Sequence, residues 1–152
     1  MNKFMKVAIE EAYEGIKHGD GGPFGAVIVK NGEIIGKGHN CVVKEKDPTC
    51  HGEMEAIHQA CKTLNNFDLT GCDIYTTGQP CPMCLGALLW AHLDNIYFGC
   101  DYQDTNDIGF SDEQYNEKMS IEEQKKYLKQ ISHEECLKLY EDYKNIKNKT
   151  HY

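Results

Sequence analysis

The sequence predicts an α/β fold in which a central mixed sheet lies between helices. Strand-like apolar runs alternate along the chain with apolar residues at helical spacing, a pattern typical of sheets that are covered by helices on both faces. Asn31-Gly32 separates two β-rich runs, and this dipeptide favours a tight antiparallel hairpin. The 152 residues are enough for one domain with a closed core and too few for two ordinary domains.

The first third of the chain predicts a helix followed by the hairpin. A helix is expected over Lys3–His18, where apolar residues recur every three or four positions. The segment Gly19–Pro23 should end it, because Gly and Pro interrupt helices. Phe24–Val29 and Glu33–Gly38 are the expected hairpin strands.

The middle of the chain continues the alternation of helices and strands. A second helix is expected over Thr49–Leu64, after Asp47-Pro48 breaks the chain. Asp73–Thr77 and Asn95–Gly99 are expected strands, and a helix that begins near Cys81 lies between them. Such alternation predicts parallel pairing after the opening hairpin.

The last third of the chain is less regular. Asp101–Met119 is polar and is predicted to be a long loop that is either functional or mobile. Ser120–Glu123 and Ser132–Glu135 both have capping-box spacing, and the second should begin a helix. Tyr127–Ile131 fits either a strand or a helix. The polar tail Lys147–Tyr152 is predicted to be disordered.

Composition excludes several classes of function. A net charge of −8 argues against binding of a nucleic-acid backbone, which usually needs a basic face. The sequence contains no run of about 20 apolar residues that could span a membrane, and the N-terminus lacks the features of a signal peptide. The expected location is therefore the cytoplasm, where most of the eight cysteines should be reduced and buried.

Cys81 and Cys84 stand at CxxC spacing, with Pro82 between them. Because Pro is tolerated at the first position of a helix, Cys81 is predicted to be the N-cap and Cys84 to lie one turn in, with both sulfurs on one side. The positive end of the helix stabilises thiolates, the form that binds metal. The chain has no second CxxC, which disfavours a structural four-cysteine site, whereas a catalytic zinc takes three protein ligands and keeps one position open.

Two ligand sets remain open from spacing alone. His51, Glu55 and His58 fall on one face of the predicted helix and form a reasonable two-histidine, one-carboxylate set. The alternative joins His51 to the two thiolates and leaves Glu53 as an acid that binds no metal. Residues two apart on a helix point about 200° apart, so spacing does not place Glu53 beside the metal.

A resemblance to a known family favours the second set. His51-Gly52-Glu53 and Pro80-Cys81-Pro82-Met83-Cys84 match the H-x-E…P-C-x-x-C signature of zinc nucleobase deaminases. Further segments also resemble the cytidine deaminase superfamily, so that the likeness runs from about Lys3 to Gly99: Gly21–Val27, Asn40, Asp47–Thr49, Glu55–Ile57 and Cys81–Ala87. Two departures are Gln79, where relatives commonly have Glu, and Gly52, where Ala is more usual.

The resemblance implies a three-layer cytidine-deaminase-like fold with a central mixed sheet of about five strands and helices on both faces. It implies one Zn²⁺ per chain on His51, Cys81 and Cys84, with water or hydroxide in the open position. Zinc lowers the pKa of bound water to about 7. Glu53 would then take the water proton, pass it to a ring nitrogen and help to protonate the departing amine.

The segments Asp104–Asp112 and Asp142–Tyr152 resemble the small bacterial-type guanine deaminases, although Ser111 replaces an acid of their loop. This likeness implies substrate-binding roles for Phe24, Asn40, Asp112 and Tyr152. Phe24 would stack on the base, Asn40 would bind its edge, Asp112 would act on the exocyclic amine as a catalytic residue, and Tyr152 would close the pocket. It also implies a homodimer with exchanged C-terminal segments, and 132–152 as the C-terminal helix and site-closing tail of a single 1–152 domain.

The expected reaction is zinc-dependent hydrolytic deamination of guanine, a purine base, to xanthine and ammonia. The alternatives are a purine nucleoside such as guanosine, adenosine in tRNA, and a structural zinc module or inactive partner subunit without activity. The C-terminal lysines are interleaved with acidic residues, as on a solvated helix face. This pattern argues against nucleic acid as a partner.

Overall fold

The computed structural model describes residues 1–152 and is built around a four-stranded sheet. The strands are β1 (Gly25–Lys30), β2 (Glu33–His39), β3 (Cys72–Gly78) and β4 (Asn95–Cys100). Their spatial order is β2-β1-β3-β4, with β1 antiparallel to both neighbours and β3 parallel to β4. The predicted mixed sheet is confirmed. It has four strands where about five were expected, and only one pair after the hairpin is parallel.

Eight helices accompany the sheet. They are α1 (Lys3–His18), α2 (Val42–Glu45), α3 (Gly52–Leu64), α4 (Pro82–Trp90), α5 (Tyr102–Asp107), α6 (Glu113–Lys118), α7 (Ile121–Gln124) and α8 (His133–Lys144). The chain divides into two units, Met1–Tyr115 and Asn116–Tyr152. None of these helices is both long enough and apolar enough to cross a membrane.

The hairpin forms because its turn residues accept a left-handed backbone. Asn31 and Gly32 have φ values of 50° and 80°, as a two-residue turn that matches the strand twist requires. The register of β1 against β2 shifts between Ile28 and Val29. The predicted hairpin is therefore confirmed, with one irregularity inside it.

Helices cover both faces of the sheet. Side chains alternate along a strand, so Val27 and Val29 pack with Ala8 of α1, whereas Ala26 and Ile28 belong to the main core. That core also contains residues of α3, β3 and α4: Ala56, Ala60, Ile74 and Leu88. The predicted layering is confirmed, and α3 and α4, which bear the candidate site, lie on the same face.

One glycine determines how closely α3 approaches β2. A Cβ on Gly38 would lie 2.5 Å from the Glu55 Cβ and 2.8 Å from the Gly52 carbonyl oxygen. The absence of a side chain therefore allows the first turn of α3 to lie directly on the end of β2.

The segment predicted to be a long loop contains short helices. At the start of α5, the Asp101 carboxylate accepts a hydrogen bond from the Asp104 N–H, and the Asp104 carboxylate accepts one from the Asp101 N–H. This is a capping box with Asp in place of the usual Glu or Gln, and the prediction missed it for that reason. The helix predicted over Thr49–Leu64 also begins later, at Gly52.

The second unit contains α7 and α8. Ser120 caps α7 as its spacing suggested, by accepting a hydrogen bond from the Glu123 N–H. Ser132 precedes α8 with a φ of 52° and makes no side-chain capping bond, so the expected box is absent although the helix forms. The segment Tyr127–Ile131 is neither strand nor helix.

Candidate metal centre and substrate pocket

The N-termini of α3 and α4 bring together three potential metal ligands. His51 is the N-cap of α3, and Cys81 is the N-cap of α4 with Pro82 as the first helical residue. The His51 Nδ1 lies 3.5 Å from the Sγ of Cys81 and 3.5 Å from the Sγ of Cys84. All three ligand atoms lie within 4.8 Å of one another. The structure thus assembles the second of the two ligand sets that spacing left open.

The geometry of this cluster fits zinc. Zn–N bonds of about 2.0–2.1 Å and Zn–S bonds of about 2.3 Å at a tetrahedral angle separate nitrogen from sulfur by about 3.5 Å. Both nitrogen–sulfur distances in the structure have this value. Three nitrogen and sulfur ligands with one position left open are typical of a catalytic rather than a structural zinc site.

The rival ligand set on α3 does not form. His51 precedes the helix in an extended conformation, with φ −78° and ψ 157°, so helical spacing does not relate it to the residues that follow. His58 pairs instead with Glu55 at 3.7 Å, and its side chain is 66% exposed. The thiol groups, rather than this pair, share a cluster with His51.

Glu53 lies beside the thiols although it is not one of the three clustered ligands. Its Oε2 lies 3.5 Å from the Cys84 Sγ, and its Oε1 accepts a hydrogen bond from the Thr76 hydroxyl at 3.4 Å. The residue is only 6% exposed, and this burial raises the pKa of its carboxyl group. Glu53 is therefore placed to exchange protons at the site, which is the position that spacing could not establish.

The pKa values of the two cysteines are shifted in opposite directions. The hydrogen bond from the Cys84 thiol lowers the pKa of Cys81 to about 4. The same bond, together with burial, raises the pKa of Cys84. The hydrogen bond with the Cys81 thiolate in turn raises the pKa of His51. Cys81 is thus predisposed to the thiolate form in which cysteine binds metal.

A cavity of about 570 Å³ opens beside this cluster. It is lined by His51, Glu53 and Cys81, and also by Phe24, Asn40 and Asp112, which were expected to bind substrate. Burial raises the pKa of Asp112, and the nearby Cys81 adds to this effect. Tyr152, the remaining predicted site residue, belongs to the second unit, and its role stays a prediction.

One wall of the cavity is aromatic. The rings of Phe24 and Phe110 meet edge to face with centroids 5.1 Å apart. A Cβ on Gly22 would lie 2.8 Å from the Phe24 ring and 3.0 Å from the Phe110 ring. This glycine allows the chain to pass close against the two rings, both of which line the cavity.

Asn40 is held in one orientation. It is 6% exposed, and its Oδ1 accepts a hydrogen bond from the Val42 N–H at 3.1 Å. The preceding residue, His39, is bonded on both ring nitrogens, to Glu11 at 2.9 Å and to Asp20 at 2.8 Å. These contacts connect α1 and the loop after it to the segment that carries Asn40.

The sequence reasoning missed several residues of the site. Thr76 contacts Glu53, and the position of Thr76 two residues before the end of β3 gave no signal of this contact. Gln79 was noted only as a departure from the family pattern, yet it lines the cavity. Val42 and Tyr115 also line it, and both lie in segments whose helices were not predicted.

Comparisons with known proteins agree with this geometry. A family model described as "Cytidine and deoxycytidylate deaminase zinc-binding region" matches residues 1–100. Guanine deaminase of Bacillus subtilis (strain 168) is 40% identical over 151 residues, which are 98% of this chain and 97% of that protein. Its X-ray structure superposes with a TM-score of 0.92, covering 100% of this chain and 99% of that one.

Two further relatives are more distant or match a shorter segment. The tRNA-specific adenosine deaminase of Aquifex aeolicus (strain VF5) is 48% identical over 95 residues, 62% of each chain. A structure of guanine deaminase from Nitrosomonas europaea has a TM-score of 0.68 at 29% identity, covering 72% of this chain and 63% of that one. The predicted three-layer deaminase-like fold is thereby confirmed.

Proposed function

Because the chain belongs to the cytidine and deoxycytidylate deaminase family, we propose that it is a zinc-dependent aminohydrolase that deaminates guanine to xanthine and ammonia. The observation that carries the choice of guanine is the 40% identity over nearly the full chain to the Bacillus subtilis guanine deaminase, compared with 33% for a tRNA-specific adenosine deaminase of Buchnera aphidicola that covers a similar length. The match to the guanine deaminase covers 98% of the chain. It therefore extends well beyond residue 100, where the family model ends, and includes the cavity residues Phe110 and Asp112.

We infer that His51, Cys81 and Cys84 hold one zinc ion per chain. When bound, zinc supplies a Lewis acid at an open coordination position, which lowers the pKa of water there to about 7. The thiolate and imidazole groups are already within bonding separation of a common centre. Little rearrangement of the helix N-termini is therefore needed for the ion to bind.

Glu53 is the proposed proton carrier. Its raised carboxyl pKa brings proton uptake and release closer to neutral pH, where a general acid–base works best. Thr76 donates to Oε1 and so holds that oxygen in place, and Oε2 lies 3.5 Å from the Cys84 Sγ, next to the metal ligands. One oxygen can receive a proton at the cluster, and the carboxyl group can then deliver it to a ring nitrogen and to the leaving amine.

The cavity residues are proposed to bind the base. Phe24 offers its ring face for stacking, and its edge-to-face contact with Phe110 fixes that ring. The Oδ1 of Asn40 is occupied by the Val42 N–H, so its amide nitrogen is left to donate to an acceptor on the purine. Asp112 supplies an acceptor for the exocyclic amine.

A homodimer with exchanged C-terminal segments, in which Tyr152 closes the site, completes the proposal. Support comes from apolar side chains that α8 leaves exposed, such as Leu139 at 64% and Tyr140 at 71%, since exposed apolar patches often mark interaction surfaces. Deletion of His151 and Tyr152 should reduce guanine turnover far more than the melting temperature. Unchanged turnover in the truncated protein would remove the proposed role of the tail.

A second candidate function is deamination of adenosine in tRNA. The observation that favours it is the 48% identity to the Aquifex aeolicus enzyme, which exceeds the identity to any guanine deaminase described above. That match covers only 62% of the chain, and the net charge is −8. Both facts favour the small substrate.

The test is release of ammonia by the zinc-loaded protein from guanine, guanosine, adenine, cytosine and cytidine, with a tRNA transcript as a further substrate. Guanine turnover is expected, and Glu53→Gln should lower kcat by about 10²–10⁴-fold, the usual contribution of general acid–base catalysis. Zinc content should stay unchanged in the variant. Turnover of guanosine or of tRNA adenosine without turnover of guanine would reject the proposed substrate and keep the chemistry.

A further inference from the structure

Two side-chain amides line the cavity, and each is held by its oxygen. The Asn40 Oδ1 accepts a hydrogen bond from the Val42 N–H at 3.1 Å, and the Gln79 Oε1 accepts one from the Tyr102 N–H at 3.3 Å. A main-chain N–H can only donate a hydrogen bond, so the atom that faces it must be the amide oxygen. This fixes which end of each amide is oxygen and which is nitrogen.

The Gln79 amide nitrogen is consequently a donor without a partner in the chain. The only side-chain hydrogen bond of Gln79 is the one to Oε1, and no buried side-chain nitrogen or oxygen lacks a partner. The Nε2 atom is therefore accessible, and the residue that carries it lines the cavity. It can donate to a molecule bound there.

The main chain around Gln79 is rigidly attached. Its N–H donates to the Cys100 carbonyl oxygen at 2.7 Å, and the Tyr102 hydroxyl donates to the Pro80 carbonyl oxygen at 2.6 Å. The segment between β3 and α4 is thus fastened to the end of β4 and to the start of α5. A donor on a fixed segment loses little conformational freedom when it binds a ligand.

The charges in the cavity make an amide at this position chemically distinct from a carboxylate. Glu53, Asp112 and Cys81 already supply acidic groups to the lining. A carboxylate at position 79 could still accept the Tyr102 N–H, but it would add a further negative charge and replace a donor with an acceptor. Gln79 differs from Glu only in Nε2, the atom that does not contact the Tyr102 N–H.

We propose that Gln79 is a specificity-determining residue of this chain, whose Nε2 donates a hydrogen bond to an acceptor of the bound purine, either a ring nitrogen or the carbonyl oxygen. This inference rests on the proposed function and adds a substrate contact to it. The bond favours purines that carry the acceptor and disfavours those that lack it, because an unpaired polar group in a binding site costs affinity.

The test compares the wild type with Gln79→Glu, which keeps the acceptor for the Tyr102 N–H and removes the donor. The guanine KM and the Kd of xanthine, measured by calorimetry, should both rise by about tenfold or more. The value of kcat and the zinc content should stay nearly unchanged. Unaltered KM and Kd would reject the contact and leave Gln79 only as an anchor for α5.

The acceptor is identified with 7-deazaguanine, 3-deazaguanine and 2-aminopurine, which lack N7, N3 and the carbonyl oxygen respectively. Competitive binding of one of them should be equally strong in the wild type and in Gln79→Glu, whereas the other two should show the loss seen with guanine. An equal loss for all three would indicate a general charge effect and overturn the proposal. Gln79→Met, which also lacks the donor but adds no charge, repeats the comparison if the Glu variant does not fold.

Failure of this inference can be distinguished from failure of the proposed function. Absence of ammonia release from guanine by the wild type rejects the function. Normal guanine turnover by the wild type, together with an unchanged KM in Gln79→Glu, rejects only the contact.

Discussion

Replacement of Gly38 by Ala tests whether the close approach of α3 to β2 positions the site. The added Cβ would lie 2.5 Å from the Glu55 Cβ, 2.8 Å from the Gly52 carbonyl oxygen and 2.9 Å from the Ala56 nitrogen. Two of these three atoms are backbone atoms, so rotation of a side chain cannot relieve the overlap. The first turn of α3 would have to move by several tenths of an ångström.

The size of the effect follows from these contacts. Overpacking of this kind costs about 1–3 kcal/mol of unfolding free energy, which corresponds to a fall in melting temperature of about 2–12 °C for a protein of this size. The same movement displaces His51 and Glu53, which flank Gly52, and a misplacement of about 1 Å can cost about 10²-fold in rate. Guanine turnover should therefore fall by more than the loss of stability explains.

The assays are thermal unfolding and steady-state kinetics, and Gly86→Ala is the matched control. Gly86 lies in α4, and nothing lies within 4 Å of the Cβ it would acquire. Because Ala is a better helix former than Gly by about 1 kcal/mol, the control should be neutral or stabilising. A Gly38→Ala variant as stable and active as the wild type would refute the argument that this contact sets the position of α3.

Three further predictions follow from the site and its surroundings. Thr76→Val should lower kcat by about tenfold, because a hydrogen bond to Glu53 is lost, while Thr76→Ser should retain activity; equal activity of both variants would show that the hydroxyl is dispensable. The folded-state pKa of His39 is raised by its hydrogen bonds to Asp20 and Glu11, which outweigh the opposing effect of burial. The contribution of His39 to folding stability is therefore complete below about pH 6.5 and is lost as pH rises through the higher pKa of the folded state. The pKa values of Glu11 and Asp20 are lowered, so their contributions to folding stability are present above about pH 4 and are lost as pH falls through the folded-state values. His39→Gln should therefore reduce the change in melting temperature at both the acidic and the basic end of a pH series. Removal of zinc with a chelator should lower the melting temperature and abolish turnover, and added zinc should restore both, since a ligand that binds only the folded state stabilises it; an unchanged melting temperature would argue against metal binding.

Local chemistry explains what could be predicted from the sequence. Pro82 in the first turn made Cys81 a recognisable N-cap, and the structure confirms that helix start. Asn31 and Gly32 specify a turn that few other dipeptides can form. Such features depend on a few adjacent residues, so they can be read without knowledge of the rest of the chain. The choice of His51 and the two cysteines, by contrast, came from family resemblance and not from spacing.

Tertiary structure decided where Glu53 and Gln79 lie relative to the rest of the site. Glu53 reaches the thiols because α3 and α4 start side by side on one face of the sheet, although their N-caps, His51 and Cys81, are 30 residues apart in the sequence. The orientation of the Gln79 amide depends on an N–H at Tyr102, which follows the next strand. Sequence alone predicted the four strands and the helices α1, α3, α4 and α8, and through resemblance it predicted which residues would serve as the acid and the metal ligands. Their distances depend on strand order and helix packing, which are properties of the whole sheet and of no single segment.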